Sequence, residues 1–322
     1  MPDRSAQSSL PDMDAMMALV QAFEAHAAKV PELSRASLDD LIRIVPDKRG
    51  LFTGSFAGQK AVFRFYIEDP EKLATRDWNE LQRAHAYMAA GDLRVAEPLY
   101  HDPSMGLVVV AHVTGDPLLE HIWQSDPPDR ATYLQPAADW LRKYTIPTEA
   151  RATARLDGWF ERAETAQERQ TLKGLRRLRT AILEEARRIA APHIGAAWRL
   201  AICHGDFHPN NLLVDGPKVT GIDTGGSAKL PIYKDMARFL AHMGRRGLIP
   251  SQQSMLGIDK LGFEAFVSAF HLDEVERGIW LPVMIGVEAL MRVETEATPR
   301  SRQRRTKAFY EALLEDLRNL PA

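Results

Sequence analysis

The chain changes texture once, and that change limits its folds more than any other feature. Up to Val113 it is written in short β-prone runs around one long helix. From Thr114 onward it is written almost wholly in helices. Residues 38–45, 51–57 and 60–67 are separated by PDKRG and AGQ, a spacing that predicts a three-stranded antiparallel meander. Asp69-Pro70 opens a helix, with proline near the first helical position, where its missing N–H costs nothing. That helix runs on through Trp78, Leu81, Ala84 and Met88, and residues 95–101 and 107–113 read as two further strands joined by the turn DPSMG. Asp12 is placed to cap an earlier helix reaching about Lys29, with Met16, Leu19, Val20 and Phe23 on one face. After this leading helix the order is β-β-β-α-β-β.

Beyond Thr114 the candidate helices are 118–123, 130–144, 156–164, 169–190, 234–243, 263–269, 274–296 and 302–320. In 169–190, Leu172, Leu175, Leu178, Ile182 and Ile189 recur near a 3.6 period. Only 200–204, 212–214 and 219–222 interrupt the helices as strands. A length of 322 residues suits two lobes or domains. Residues 1–11 are polar and Pro/Ser-rich and read as a flexible tail.

Charge and cysteine usage exclude several classes. Lys+Arg 41 against Asp+Glu 43 gives a net charge of -2, which argues against a general nucleic-acid binder. Cys203 is the single cysteine, so intrachain disulfides and Cys-rich zinc modules are excluded, and a lone thiol is at home in the cytoplasm. No apolar run approaches the roughly 18–20 residues that span a bilayer, and no secretory h-region follows the first charges. The basic run at 299–305 reads as a solvated helix start.

The chemistry is concentrated in residues 202–227, ICHGDFHPNNLLVDGPKVTGIDTGGS. A strand delivers His204-Gly205-Asp206, and the short loop after it carries Asn210 and Asn211. Asp206 and Asn211 are close enough on one loop to converge on a point. Asp223 arrives from a neighbouring strand end, followed by Thr224 and two glycines. Two carboxylates and an amide oxygen are hard ligands suited to Mg²⁺, which takes one or two protein carboxylates plus phosphate oxygens. An aspartate held near the metal can accept a proton from an alcohol, which is the equipment of phosphoryl transfer.

HGDFHPNN resembles the His-Gly-Asp-x-x-x-x-Asn loop of the aminoglycoside phosphotransferase and choline kinase family, small-molecule kinases of protein-kinase-like fold. Ile222-Asp223 is similar to that family's metal-binding Asp, and Tyr233-Lys234-Asp235-Met236-Ala237 resembles the helix-opening segment after it. The resemblance spans about 38–291. It implies an α+β, two-lobed protein-kinase-like fold with a small antiparallel-sheet N-lobe (12–113, a leading helix, five strands and one helix) and a larger, mainly helical C-lobe (114–322).

It further implies transfer of the γ-phosphoryl group of ATP or GTP, with Mg²⁺, to a hydroxyl of a small polar acceptor. Asp206 would be the base, and Asn211 and Asp223 would hold the metal. Arg64, in the third strand, would hold phosphates with Glu80 as its ion-pair partner, and backbone groups of Ala111 and Val113 would bind adenine at the hinge. The chain departs from the usual pattern in having Arg64 for lysine and Thr224 after the metal Asp. Gly50, Gly54 and Gly58 do not form G-x-G-x-x-G, and ordinary hairpin glycines and phosphate contact stay equally open.

Two other readings compete. A kinase-like nucleotide-binding or scaffolding protein without turnover would explain Arg64 and Thr224. A metallohydrolase would use His204, Asp206 and His208, whose H-x-D-x-H spacing puts them on one side of a strand. Pro209 breaks that strand, which favours His204 as a buried brace. Cys203 beside His204 reads as a structural thiol, because strand neighbours point to opposite faces.

Overall fold

The computed structural model describes residues 13–321; the tail expected at 1–11 and the cap expected at Asp12 lie outside the described residues. By its contacts the chain divides into two compact units. The first runs to Asp116 and takes in Leu213–Gly226. The second holds Pro117–Leu212 and the chain from Ser227 onward.

In the first unit, Ser37–Val45, Arg49–Phe56, Gln59–Tyr66, Leu107–Ala111 and Pro98–Asp102 lie side by side in that order in one sheet, and every neighbouring pair is antiparallel. Strand alternation divides Gln59–Tyr66 between two faces. Ala61, Phe63 and Phe65 are buried in a core with Phe52, Leu107 and Val109. Phe23 of the Met13–Ala27 helix closes that core, edge-on to Phe63 and Phe65 at 5.6 and 5.8 Å. Each phenylalanine so buried contributes about 1.5–3 kcal/mol. Arg64, between Phe63 and Phe65, is on the opposite face.

The helix Pro70–Met88 buries Ala74, Asp77, Leu81, Ala84 and Met88, a stripe at three- and four-residue spacing that contains one carboxylate. The strand expected at 95–101 is two strands, Leu93–Val95 and Pro98–Asp102. Pro98 has no N–H for a ladder, and the register slips between it and Tyr100. Leu93–Val95 instead pairs in parallel with residues 219–221, which joins the hairpin that leads to Asp223 to this unit.

The second unit is mainly helical. Ile232–Gly244 and Leu281–Leu290 are buried along their whole lengths; the second is apolar nearly all round, whereas the first buries Lys234, Asp235, Arg238 and His242 among its apolar residues. The helix expected at 274–296 is a π segment, Glu276–Trp280, followed by Leu281–Leu290. Glu276 sits there in a buried fork, receiving Arg199 Nε and Nη2 at 2.7 and 2.9 Å and the Tyr233 hydroxyl at 2.8 Å. Ala197–Cys203 is the middle of a three-stranded sheet whose edges, Ala150–Thr153 and Ala228–Pro231, were not expected. The fold is therefore mixed α+β, with an antiparallel-sheet N-terminal part and a helical C-terminal part. Among the described residues, no helix is long and apolar enough to cross a membrane.

Of the glycines left open above, Gly50 and Gly54 have packing reasons, and Gly58 has a positive φ of 86 with open space around it. A Cβ at Gly54 would stand 2.0 Å from the carbonyl oxygen of Ser37 on the neighbouring strand, and one at Gly50 would stand 2.6 Å from Leu19 Cδ2.

Candidate active site

Ala197–Cys203 ends against the loop that carries Asp206 and Asn211. Cys203 is buried, with its thiol directed to the carbonyl of Leu230 at 3.5 Å, and burial pushes its pKa well up. His204 is buried in an aromatic cluster. Trp140 stacks on Tyr144 and Phe207 at 5.0 and 5.6 Å, and the His204 ring stands edge-on to Trp140 at 6.0 Å. Below the loop, Asp235 Oδ2 accepts the Gly205 N–H at 3.1 Å. Lys234 donates to the Gly205 carbonyl and, at 3.3 Å, to Asp235 Oδ1. The loop is thus pinned by its backbone, which leaves the Asp206 side chain to chemistry.

That side chain is half-exposed, at 47%. Arg238 Nε donates to its Oδ1 at 2.9 Å, Arg292 Nη2 lies 3.5 Å from the same oxygen, and His208 Nε2 lies 3.5 Å from Oδ2. Burial raises the Asp206 pKa, but the hydrogen bond from His208 and the charge of Arg238 outweigh it and hold the carboxyl well below the usual range. Asn211 is buried and donates its amide N–H to the Asp206 carbonyl at 3.0 Å. Its Oδ1 remains as the acceptor, the atom a hard cation takes.

The H-x-D-x-H spacing does not become a metal cluster. His204 belongs to the aromatic core, while His208 and Asp206 face each other. Among the described residues, no group of three or more His, Cys, Asp or Glu side chains is placed to hold a metal ion.

In the first unit, Arg64 meets a different partner from the one expected. Arg64 Nη1 donates to both oxygens of Asp77, at 3.0 and 3.3 Å. Glu80, one turn further on, instead receives Arg83 at 2.6 and 2.9 Å. The reason is helix rotation: Asp77 lies on the buried stripe and Glu80 at its margin. Tyr66 adds its hydroxyl to Asp77 Oδ2 at 2.8 Å. Burial opposes the Arg64 charge, but Asp77 outweighs it and keeps the guanidinium protonated, with its pKa above the ordinary value.

The segment after Asp223 closes on the same cluster. Arg76 Nε donates to the Gly225 carbonyl at 3.0 Å. A Cβ at Gly225 would lie 2.7 Å from the Tyr66 hydroxyl oxygen and 3.1 Å from Asp77 Cγ, so only glycine permits this approach. Asp223 is left-handed, with φ 60, a region that aspartate tolerates better than most residues. Its carboxylate is about one-third exposed and lies 3.5 Å from Arg49 Nη1. A partly exposed carboxylate already facing a cation fits the chemistry of a Mg²⁺ ligand.

Breaking a buried ion pair from one side leaves the other charge uncompensated, at about 3–5 kcal/mol. Asp77 is fully buried and the Arg64 side chain is 8% exposed. Asp77→Ala is therefore expected to lose about that much stability in denaturant unfolding, and clearly more than Glu80→Ala. Equal losses would remove Asp77 as the partner.

At the expected hinge, the Ala111 N–H is donated to the Glu97 carbonyl at 2.9 Å, so any adenine contact of Ala111 falls to its carbonyl. Val113 is half-buried just beyond the strand.

His208 and His242 stack at 4.6 Å. Burial lowers both pKa values from the ordinary 6.5, and in His242 the charge of Arg246 adds to the effect. Below pH 6.5 the unfolded chain binds protons that the folded chain refuses, so stability falls with pH at about 1.4 kcal/mol per unit per group. Urea midpoints are expected to drop between pH 7.5 and 5.5, on the order of this slope. His242→Gln is expected to flatten the drop, and an unchanged slope in that variant would contradict the assignment.

A five-stranded antiparallel sheet followed by a mainly helical part is the architecture of the protein-kinase-like phosphotransferases. The chain belongs to the phosphotransferase enzyme family (APH), whose sequence model matches residues 53–259. A search of curated protein sequences gave no match.

Among solved structures, the chain is similar to a choline/ethanolamine kinase family protein from Mesorhizobium loti (16% identity, 94% of this chain and 99% of that one, TM-score 0.57). It is also similar to a glucosamine kinase in complex with glucosamine, ADP and inorganic phosphate (15%, 93% and 85%, 0.59). A third is an aminoglycoside phosphotransferase, APH(4)-Ia, in a ternary complex with ADP and hygromycin B (12%, 93% and 97%, 0.56).

Asp77, Tyr66 and Arg76 around Arg64, and Arg238 and Arg292 around Asp206, were not singled out from sequence. A lone aspartate in the apolar stripe Ala74–Leu81–Ala84–Met88 was a readable signal for Asp77.

Proposed function

We propose that the protein transfers the γ-phosphoryl group of ATP (or GTP) to a hydroxyl of a small polar acceptor in the cytoplasm. The observation that carries this reading is the Asp206 loop. Its carboxylate is half-exposed and oriented by Arg238, while Asn211 is fixed by its amide N–H and keeps Oδ1 as an acceptor. Asp206 orients the acceptor hydroxyl and takes its proton late, as the oxygen forms its bond to phosphorus. Asn211 and Asp223 would hold Mg²⁺, which when bound neutralises charge on the phosphates. Arg64, kept charged by Asp77, holds phosphate oxygens, and Ala111 and Val113 receive the base.

ADP release from Mg·ATP, measured over a panel of alcohols, amino-alcohols, sugars and hydroxy acids, tests the reading. Turnover with at least one acceptor, abolished by EDTA, is expected. Nucleotide binding without turnover on any acceptor would favour the scaffolding alternative.

A further inference from the structure

The surroundings of Asp206 carry more positive charge than the loop needs. Arg238, His242, Arg245 and Arg246 recur at three- and four-residue steps, so they share one side of the Ile232–Gly244 helix and its end. Arg245 and Arg302 both lean on Glu294, Arg302 at 3.6 Å, and Arg238 and Arg292 both lean on Asp206. Among the described residues no carboxylate lies within ion-pair distance of Arg246, and its Nη1 donates to the His242 carbonyl at 3.0 Å. The buried Glu288 is the remaining nearby acid, and Lys234 is matched by Asp235. Even with Glu288 ionised, these five arginines keep a surplus of two positive charges.

Polar atoms of the same cluster have no hydrogen-bond partner among the described residues. Nδ1 of His208, Nε2 of His242 and Nε of Arg245 are buried without a hydrogen-bond partner. His242 is only 6% exposed. Native chains rarely leave such donors and acceptors unsatisfied. Arg246 is also held down in pKa to about 10, first by burial and then by Arg302, Arg245 and Arg238, as expected of a cation crowded by cations.

We propose that the acceptor alcohol is itself an anion, a small hydroxylated compound carrying a carboxylate or phosphate group, gripped by Arg246 and Arg292 while its hydroxyl meets Asp206. The inference rests on the kinase reading and names its substrate class. Guanidinium groups match carboxylate and phosphate geometry, and a cationic acceptor meets like charge here. In the reaction, the acceptor oxygen bonds to the γ-phosphorus as the bond from that phosphorus to the β,γ-bridging oxygen breaks. ADP leaves with the electron pair, and the hydroxyl proton passes to Asp206 and then to water.

The test uses the full chain with Mg·ATP and five acceptors: glycerate (carboxylate arm), glycerol 3-phosphate (phosphate arm), glycerol, choline and kanamycin. ADP release gives kcat and KM, and calorimetry gives binding of each acceptor and of AMP-PNP. At least one anionic arm is expected to exceed glycerol, choline and kanamycin in kcat/KM by about tenfold or more, and the responding arm tells carboxylate from phosphate. Arg246→Ala and Arg292→Ala are each expected to raise KM or Kd for that anion about 10- to 100-fold with AMP-PNP affinity unchanged, and Arg246→Lys to recover part of the loss.

Preference for choline or kanamycin would overturn the inference and leave the kinase reading standing. So would unmoved anion KM and Kd in both alanine variants, or nucleotide binding without binding of either anion at low salt. Failure to bind AMP-PNP would overturn the kinase reading, and this inference with it.

Discussion

Asp206→Asn is expected to lower kcat by about 10²–10⁴-fold, the usual worth of a positioned base, while nucleotide affinity moves by less than about threefold. The amide keeps the shape and one acceptor oxygen but cannot take the proton. The loss falls on kcat because the carboxylate acts on the acceptor hydroxyl in the transition state and makes no use of bound nucleotide. Arg238 and His208 hold the Asp206 carboxyl well below the usual range, so it stays ionised through the physiological pH range and contributes no acid limb there to the rate profile. Such a carboxylate is a weak base at rest, which suits a loose transition state in which the proton moves late. Wild-type kcat in the amide variant would take Asp206 out of the chemistry. A variant with normal kcat and weakened nucleotide binding would assign it elsewhere.

Asp223→Ala is expected to cost turnover about 10³-fold or more, because a phosphate-bound metal supplies several kcal/mol of charge stabilisation and each 1.36 kcal/mol is about tenfold. Binding of Mg·ATP is expected to weaken more than binding of ATP in EDTA. Alanine also tolerates the left-handed backbone at this position poorly. Asp223→Asn removes the charge while keeping a residue suited to that conformation, and is the cleaner variant. If it turns over normally, the metal assignment is wrong.

The five-stranded sheet was legible because its strands alternate cleanly and are closed by strong turn signals. The strands Ala150–Thr153 and Ala228–Pro231 were not. Both are four-residue edge strands with little buried surface, and their pairing is decided by Ala197–Cys203, a partner distant in sequence from both. Asp206, Asn211 and Asp223 were legible as candidates because one short segment carries all three. The partner of Arg64 was misread by one turn: Asp77 and Glu80 are three residues apart on one helix, and only its rotation against the sheet chooses between them. Arg292 was beyond reach, because what brings it to Asp206 is packing of the fully buried Leu281–Leu290 helix, which no local pattern encodes.

Gly225 has a consequence for how such an enzyme is governed. A joint closed this tightly on Tyr66 and Asp77 offers no slack in which the segment after Asp223 could store an idle form. Residue 224 is threonine and brings no large ring to swing in or out. Whatever governs such an enzyme therefore does not act by swinging a ring at position 224.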